Sequence, residues 1–339
     1  MQNIHSHHIK VGTRGSKLAK AQTEIIISKL RALFPAVTFE TIAITVSGEV
    51  LKDRPLAEIG GAGVFVKELE DALLRHEVDF VVHSLKDLPT AMPPDLVLAC
   101  VANREDPRDV LVSRNNLRFD QLPASSRVAT SSRRRAAQLK ALRKDLVFVD
   151  IRGNVDTRLR KLTEGQCDAI VLAAAGLKRL DLIDQVSQFF DSDICLPAVG
   201  QGVLAAECRV DDKETLAMLK AIDDPKVRSE ITAERAFLER LGGGCSVPVG
   251  ALAQVDLDPT ISDQSARLAG GTPALQAALH LSACVAALDG SKIIRHEMSG
   301  STTEAEQIGH RLAEWMLANG AQPILQALRA STPNDISPP

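Results

Sequence analysis

Short apolar segments, each followed by a turn and then by a helical segment, recur through the amino-terminal two thirds of the chain. Lys10–Thr13 reads as a strand and leads through a turn into a helix over Lys17–Leu33. Arg127–Ala129 reads as a strand, and a helix begins at Arg133 after a run of hydroxyl residues. Strands that alternate with helices favour sheets covered by helices on both faces. We therefore predict doubly wound α/β architecture.

The chain has 339 residues, which is too long for one ordinary hydrophobic core. Segments 103–109 and 196–202 read as hinges between two α/β units, and two crossings suit a bilobal protein with its ligand in the cleft. We predict three domains. The first comprises 1–102 and 203–222, the second 103–202, and the third 223–330.

The carboxyl-terminal third has a different pattern. Leu281–Leu288 and Ile293–Met298 flank Asp289-Gly290, a dipeptide typical of tight β-hairpins. A helix follows, with Thr303 and Glu306 spaced as a capping box. We expect a smaller α+β domain with an antiparallel sheet.

Positive charge is concentrated between Arg127 and Arg179. This window holds thirteen Lys/Arg and five Asp/Glu, a balance of +8, whereas the whole chain carries −3. A local excess of one sign attracts a polyanion. Tyrosine is absent and Trp315 is the one tryptophan. Because single-stranded nucleic acids are bound on aromatic faces, this scarcity and the negative total charge argue against a nucleic-acid binder.

Charged and hydroxyl residues gather where the predicted strands pass into helices. Open α/β sheets bind ligands at that edge, and helix N-termini offer free N–H groups to anions there. Arginine matches carboxylates with two parallel hydrogen bonds. The alternative is a set of solvated helix faces and weak surface ion pairs. The residues at these junctions are Arg14, Ser16, Ser84, Lys86, Asp87, Ser131, Ser132, Arg134, Arg135, Arg152, Arg158, Lys178 and Arg179.

Asp87 follows the apolar strand Asp79–His83 and is an acid in a region otherwise rich in cations. An aspartate there stabilises a cationic intermediate or transfers a proton. The alternative interpretation is a helix N-cap or a partner of Lys86. His83 itself reads as a packed strand residue and not as a metal ligand.

Cys245 lies in a glycine-rich loop after a helix predicted over Glu230–Leu241. Glycines leave the thiol accessible and no acid adjoins it, which favours a reactive thiolate. The alternative is a small buried residue in a turn. The six cysteines are scattered without a CxxC pair, which fits a reducing compartment and indicates no metal site.

The hydropathy of the chain argues against a membrane-spanning protein and against a secreted one. No apolar run reaches the about 18 residues that a membrane span requires, and the start MQNIHSHHIK lacks the apolar core of a signal peptide. We expect a cytoplasmic monomer that associates with neither membranes nor nucleic acids.

Nine blocks of sequence, in this order along the chain, carry a resemblance. The blocks are RGSKLAKAQ (14–22), GGAGVFVKELE (60–70), VHSLKDLPT (82–90), REDPRDV (104–110), ATSSRRRAAQL (129–139), IRGNVDTRLRKL (151–162), DAIVLAAAGLKRL (168–180), LPAVGQGVLAAECR (196–209) and AERAFLERLGGGCSVPVGA (233–251). With these blocks the chain resembles the porphobilinogen deaminase (hydroxymethylbilane synthase) family over nearly its whole length.

The resemblance implies two doubly wound, periplasmic-binding-protein-like domains that form a cleft, and the third domain. It also implies a dipyrromethane cofactor joined by a thioether to Cys245, with Asp87 as the catalytic residue. The positions that match the family's cofactor-binding residues are Ser84, Lys86, Ser132, Arg134 and Arg135. Those that match its substrate-binding residues are Arg14, Ser16, Gln22, Arg152, Arg158, Arg179 and Gln201.

The implied activity is a transferase step of tetrapyrrole (haem) biosynthesis. Four porphobilinogen molecules are joined stepwise, with loss of ammonia, and hydrolysis releases the linear tetrapyrrole. The alternative is a non-catalytic bilobal anion-binding protein, which carries no adduct on Cys245.

Two positions depart from the family's pattern, because Glu58 and Ala62 stand where family members commonly carry cations. Both changes remove positive charge near the mouth of the cleft and put the loop contacts to substrate in question. The third domain is also longer than usual around Pro259–Leu279, a segment with no assigned role.

Overall fold

The computed structural model describes residues 8–46, 66–102, 104–242, 247–262 and 275–330. Within these ranges three sheets are present. The strands are β1 (His8–Arg14), β2 (Thr38–Ile44), β3 (Phe80–Ser84), β4 (Leu96–Val101), β5 (Asp109–Ser113), β6 (Arg127–Ala129), β7 (Val147–Val149), β8 (Ala169–Ala173), β9 (Gln188–Phe190), β10 (Leu204–Arg209), β11 (Val249–Ser262), β12 (Leu275–Ala286) and β13 (Ile293–Ser301). The α-helices are α1 (Lys17–Leu33), α2 (Lys67–Leu74), α3 (Arg133–Leu142), α4 (Val155–Thr163), α5 (Ala174–Lys178), α6 (Lys213–Lys220), α7 (Pro225–Arg240), α8 (Ala305–Met316) and α9 (Gln322–Ala330).

The first lobe is built on the sheet β2-β1-β3-β10-β4, in which β10 alone runs antiparallel to its neighbours. Apolar side chains of α1 and α6, including Ile26 and Leu219, pack on one face of this sheet. Side chains of α2 and α7, including Leu69 and Ile231, pack on the other. A sheet covered on both faces by helices confirms the doubly wound prediction for this lobe.

The second lobe repeats the arrangement in the order β7-β6-β8-β5-β9. Here β5 is the strand that runs antiparallel to both neighbours. Leu162 of α4 and Leu177 of α5 pack on one face, and Leu139 of α3 packs on the other. The chain passes between the lobes twice, through segments 102–108 and 191–203, which we call the first and second crossings. Each crossing leads into the antiparallel strand of the lobe that it enters, β5 after the first and β10 after the second.

Two serines set where helices begin at the edge of these sheets. Ser16 caps α1, its hydroxyl accepting from the N–H of Ala19 at 3.2 Å. Ser132 caps α3, its hydroxyl accepting from the N–H of Arg135 at 3.4 Å. Side-chain caps of this kind satisfy N–H groups that the first helical turn leaves unpaired.

The third sheet, β11-β12-β13, is antiparallel throughout. The hairpin predicted at Asp289-Gly290 is confirmed, and Gly290 has a φ of +73°. Phe237 of α7 and Ile308 of α8 pack on one face of the sheet. On the other face Cys284 packs against Leu196 of the second crossing. The third sheet therefore abuts the segment that joins the two lobes.

Several sequence-based boundaries need correction. Asp109, assigned to a hinge, is the first residue of β5 because it pairs with Ala173 across the sheet. The helix expected from Glu230 begins earlier, at Pro225, since the carboxylate of Asp224 caps it.

The expected capping box is also wrong. The hydroxyl of Ser301, and not that of Thr303, accepts the first free N–H, and α8 begins after a 3-10 turn. Within the segment expected as an extra insertion, Ala278 and Leu279 are buried strand residues of β12. Residues 263–274 lie outside the described ranges. Among the helices of the described ranges, none is both long enough and apolar enough to span a bilayer.

Candidate functional site

Asp87 is the last residue of a 3-10 turn, Leu85–Asp87, that directly follows the carboxyl end of β3. The turn is held by the buried side chain of Leu85 and by its N–H, which donates to the carbonyl of Val203 at 3.0 Å. Asp87 is half-buried, and no described residue donates a hydrogen bond to its carboxylate. Among the described residues the side chain therefore caps no helix and accepts no hydrogen bond from Lys86, although its negative charge favours the charged form of Lys86.

Gln201, in the second crossing, connects the two lobes at this point. Its side chain is 1% exposed. Oε1 accepts from Lys86 Nζ at 3.3 Å and from Arg135 Nη2 at 3.4 Å. Nε2 donates to the carbonyl of Pro107 at 2.7 Å and to Asp109 Oδ1 at 2.9 Å. One amide thus brings the residue before Asp87 next to the arginines of the second lobe.

Asp109 is a fully buried acid at the start of β5 and holds both arginines. It accepts from Arg134 Nη1 at 2.6 Å and from Arg135 Nε at 2.8 Å. Burial opposes ionisation of Asp109, but the guanidinium groups of Arg134 and Arg135 outweigh it, so the pKa of its carboxyl falls. Burial likewise opposes the charge on Arg134, and Asp109 outweighs that effect and raises the pKa of Arg134. The three groups are a charged, hydrogen-bonded unit.

Other cations of the cleft have depressed pKa values. Burial lowers the pKa of Lys86 to about 8, and the guanidinium of Arg135 adds to the shift. Burial, with the charges of Arg135 and Arg152, lowers the pKa of Arg158 to about 10. Desolvated cations that repel one another gain stability when an anion binds between them. The electrostatics of these residues therefore favour a polyanionic ligand.

The same interactions show which predicted residues the fold brings together. Arg158 lies within electrostatic range of Arg135, Arg152 and Asp87, and the last of these favours its charged form. The carboxylate and the basic residues, predicted separately from their positions at strand ends, therefore share one cleft.

Arg179 lies at the end of α5. Burial lowers its pKa to about 10, against the opposing charge of Glu105. Its Nη2 donates to the carbonyl of Gly202, at 2.5 Å, in the second crossing. Arg179 thus lies where the lobes join.

Some of the predicted residues already have partners inside the protein. Gln22, on α1, donates to Ser84 Oγ at 2.8 Å. Ser16 and Ser132 are helix caps, as described above. Arg14, half-buried, ends β1 beside these residues. These five positions line the edge of the two sheets.

The lobes also meet at their outer rim. Lys17 Nζ of α1 lies 3.9 Å from Asp156 Oδ2 of α4, and both side chains are exposed. A Cβ placed on Gly176 of α5 would lie 3.6 Å from Leu18 of α1. Helix α1 of the first lobe therefore lies close to α4 and α5 of the second.

Cys245, Glu58 and Ala62 lie outside the described residues. The five cysteines that are described are all buried, and burial raises the pKa of Cys100 and of Cys208 to about 12. Within the described ranges no group of three or more His, Cys, Asp or Glu side chains is arranged to hold a metal ion.

Sequence reasoning missed Asp109 and Gln138 as parts of the site. An acid directly before an apolar run, in a chain with three consecutive arginines, is a usable signal for Asp109. Gln138 is fully buried on α3 and hydrogen-bonds both the backbone N–H and the backbone carbonyl of Leu196. Its hydrogen bonds to Leu196 join residues 58 positions apart, so the sequence near Gln138 does not indicate them.

The fold and the cleft define a bilobal α/β protein with a cluster of basic residues around one carboxylate, and with a third, antiparallel domain. Residues 9–217 match the family described as "Porphobilinogen deaminase, dipyromethane cofactor binding domain". Residues 229–318 match "Porphobilinogen deaminase, C-terminal domain". The chain belongs to the porphobilinogen deaminase family.

Similar curated proteins carry the same name. Porphobilinogen deaminase of Roseiflexus castenholzii is 48% identical over 94% of this chain and 98% of its own length. That of Desulforudis audaxviator is 47% identical over 95% of this chain and 98% of its own length. That of Syntrophus aciditrophicus is 44% identical over 96% of this chain and its full length.

Among solved structures, the methionine-binding protein MetQ matches 63% of this chain and 89% of its own, with a TM-score of 0.41 and 16% identity. The periplasmic VFT2 domain of Bordetella pertussis BvgS matches 63% of this chain and 85% of its own, with a TM-score of 0.39 and 15% identity.

Proposed function

We propose that this chain is a hydroxymethylbilane synthase, a transferase that joins four porphobilinogen molecules with loss of ammonia and releases a linear tetrapyrrole. The observation that carries the proposal is the half-buried carboxylate of Asp87, which no described residue hydrogen-bonds, among cations whose pKa values are depressed. A ligand with many carboxylates and a positively charged reacting centre complements both features.

A dipyrromethane cofactor suits the same cleft. Its carboxylates match the desolvated cations, and no described residue accepts a hydrogen bond from Nη2 of Arg134. We assign its attachment, through a thioether, to Cys245, because the described cysteines are buried and their thiols are poorly ionised. When bound, the cofactor supplies the free pyrrole α-carbon on which the chain starts. Its proposed contacts are Ser84, Lys86, Ser132, Arg134 and Arg135.

The second group of residues would bind the incoming substrate. Porphobilinogen carries an acetate and a propionate, so each unit adds two negative charges to the cleft. Guanidinium groups bind carboxylates with paired hydrogen bonds, and charge-assisted hydrogen bonds are strong when desolvated. The residues assigned to this role are Arg14, Ser16, Gln22, Arg152, Arg158, Arg179 and Gln201.

Asp87 would act on the reacting pyrrole. Cleavage of the aminomethyl C–N bond releases ammonia and leaves a methylene-pyrrole cation. The carboxylate accepts hydrogen bonds from pyrrole N–H groups and stabilises that positive charge. Formation of a C–C bond to the free α-carbon would release that carbon's proton, and Asp87 would accept it. After four additions, water adds to the last methylene carbon and the product leaves.

The organisation of the chain follows from the same proposal. We assign 1–102 and 203–222 to the first domain, 103–202 to the second and 223–330 to the third. The membership of the three sheets supports these limits. We further propose a cytoplasmic monomer.

Two measurements, turnover of porphobilinogen and intact mass, test the chemistry. Purified protein given porphobilinogen is expected to consume it and release hydroxymethylbilane, and its intact mass is expected to exceed the sequence mass by one dipyrromethane. Cys245→Ser is expected to show the unmodified mass. An active enzyme of unmodified mass would refute the cofactor. A protein that binds porphobilinogen without consuming it would support the non-catalytic anion-binding alternative.

A further inference from the structure

Gln138 is a buried amide one helical turn after Arg134 on α3. Its Nε2 donates to the carbonyl of Leu196 at 3.0 Å, and its Oε1 accepts from the N–H of Leu196 at 2.9 Å. The same carbonyl accepts from Arg134 Nη1 at 2.7 Å. The second crossing is therefore fixed against α3 by two side chains that share one peptide group.

The third sheet reaches this point through Arg295 of β13. Its Nη2 donates to Gln138 Oε1 at 3.0 Å and to the carbonyl of Ile194 at 3.2 Å. Its Nη1 donates to the carbonyl of Ser192 at 3.2 Å. Arg295 thus holds the amide and the crossing together from the side of the third domain.

From Gln138 the hydrogen bonds continue into the cleft. Arg134 joins the Leu196 carbonyl to Asp109, Asp109 accepts from Gln201, and Gln201 accepts from Lys86. The residue after Lys86 is Asp87. The series runs from the third sheet through the second lobe to the first, and each of its hydrogen bonds is 3.3 Å or shorter.

We infer that Gln138 and Arg295 are positioning residues, through which the third domain sets the direction of the Arg134 guanidinium and the place of Asp109. The inference rests on the proposed function, because the arginines are then the groups that bind carboxylates. A fork of two hydrogen bonds is sensitive to direction, and small misplacements of binding groups have large kinetic effects. Arg134 is assigned to the cofactor, and each porphobilinogen would be joined to the free end of the chain that the cofactor starts. Arg295 would therefore act on substrate binding through the placement of that chain, without touching substrate.

A contiguous network is not by itself proof of coupling, so the experiment is a double-mutant cycle on the holoenzyme. The variants are Gln138→Leu, Arg295→Ala and the double variant. The control is Arg240→Ala, which truncates an exposed third-domain arginine paired with Glu314 at 2.9 Å. Each single variant is expected to raise KM for porphobilinogen about tenfold, with kcat changed less than about twofold.

The KM of the double variant is expected to be no higher than that of the more impaired single variant, because both side chains act on the same segment. Arg240→Ala is expected to match the wild type. Intact mass is expected to show full cofactor loading in every variant. Amide exchange is expected to rise in the peptide containing Leu196 in both single variants. A purely structural role would lower the thermal midpoint without this split between KM and kcat.

Three results would overturn the inference: an Arg295→Ala enzyme with the KM of Arg240→Ala, losses that multiply in the double variant, or unchanged exchange at Leu196. If Gln138→Leu does not fold, Arg295→Ala against Arg240→Ala decides alone. A wild-type protein without turnover would instead refute the proposed function, and amide exchange would still report on the contact.

Discussion

Asp87 is placed by its neighbours in sequence and surrounded by charges from elsewhere in the chain. The strand β3 and the short turn after it carry the carboxylate to the edge of the first sheet. Lys86 and Arg158 then supply positive charge around it. A negative group in such a cleft is suited to stabilising a cation that forms only during the reaction. Its removal is expected to affect turnover far more than binding.

Asp87→Asn is therefore expected to lower kcat by at least about a thousandfold while the cofactor stays attached. The amide keeps the shape of the side chain and loses its charge. The measurement is turnover of porphobilinogen together with intact mass. Asp95→Asn, at an exposed position of the same lobe, is the control and is expected to keep wild-type kcat. Near-normal turnover in Asp87→Asn would remove this residue from the mechanism.

Asp109 is expected to matter for stability in a pH-dependent way. Its folded-state pKa is depressed, so its contribution is fully present above the unfolded pKa of about 4. The contribution falls as the pH drops below that value, because the unfolded chain then takes up the proton first. Breaking such a buried charge network costs about 3–5 kcal/mol.

Asp109→Asn is thus expected to lower the free energy of unfolding at pH 7 by about that amount, measured by urea titration. Below about pH 4 the difference in free energy of unfolding between the wild type and Asp109→Asn is expected to decrease by about 1.4 kcal/mol per pH unit. Asp145→Asn removes an exposed partner of Arg143 and is expected to have a much smaller effect. A difference in unfolding free energy that does not change with pH would contradict the conclusion that Asp109 is ionised in the folded protein.

At the level of elements, the β12–β13 hairpin lies against helix α3. A Cβ placed on Gly290 would lie 2.7 Å from the backbone nitrogen of Ala141 and 3.0 Å from the carbonyl oxygen of Ala137. Gly290 also has a φ of +73°. Gly165 has nearly the same φ, +76°, but a Cβ there would meet only the end of the Arg114 side chain, at 3.5 Å.

This pair separates backbone strain from steric conflict. Gly165→Ala is expected to lower the free energy of unfolding by about 1 kcal/mol, the cost of a left-handed alanine. Gly290→Ala is expected to cost a further 1–3 kcal/mol or so, since the hairpin or α3 must shift. Chemical denaturation of both variants tests this. Equal losses would mean that the hairpin and the helix are not in close contact.

Local periodicity predicted the elements whose partners are near in sequence. The β1–α1 and β6–α3 units and the Asp289-Gly290 hairpin are confirmed. The strand β5 was missed because its apolar run follows the charged segment 104–108 and no helix comes after it. Its place between β8 and β9 depends on pairing with distant segments. Such pairing leaves no periodic signal.

The site shows the same limit. Positions at strand ends identified Lys86 and Arg135 as candidates, and the family resemblance identified Gln201. The side-chain amide of Gln201 bridges these two cations because the chain returns to the first lobe through the second crossing. Lys86 and Gln201 are 115 residues apart, so no local pattern predicts their contact. The direction of Arg134, held by Asp109, likewise depends on an acid that sequence reasoning placed in a hinge.

At the level of the whole molecule, the third domain is attached to both crossings. Glu234 of α7, fully buried, accepts from the N–H of Gly200 at 2.7 Å, from Arg104 Nη2 at 2.7 Å and from the N–H of Ala253 at 2.8 Å. Gly200 belongs to the second crossing, and Arg104 to the first. A relative movement of the lobes must therefore pass through segments that the third domain holds.

The buried cations of the cleft are expected to reduce the stability of the fold while no anionic chain is bound, compared with neutral side chains at the same positions. Arg158 shows this, because burial beside Arg135 and Arg152 lowers its pKa to about 10. Its charge therefore opposes folding and favours binding. Arg160, on the same helix α4, is exposed and lies 3.8 Å from Glu164. The two arginines differ in burial and not in residue type.

Arg158→Ala is expected to stall elongation, because each added unit brings two carboxylates that the cleft must neutralise. Loss of one charge-assisted hydrogen-bonding group is expected to slow the affected addition by about tenfold to a hundredfold. Rapid-mixing mass spectrometry would show enzyme with fewer added units accumulating. Arg160→Ala is expected to show the wild-type distribution, and the thermal midpoint of Arg158→Ala is expected to be no lower than that of this control. If both variants share one mass distribution, or if Arg158→Ala merely unfolds earlier, then Arg158 supports the fold and does not hold the growing chain.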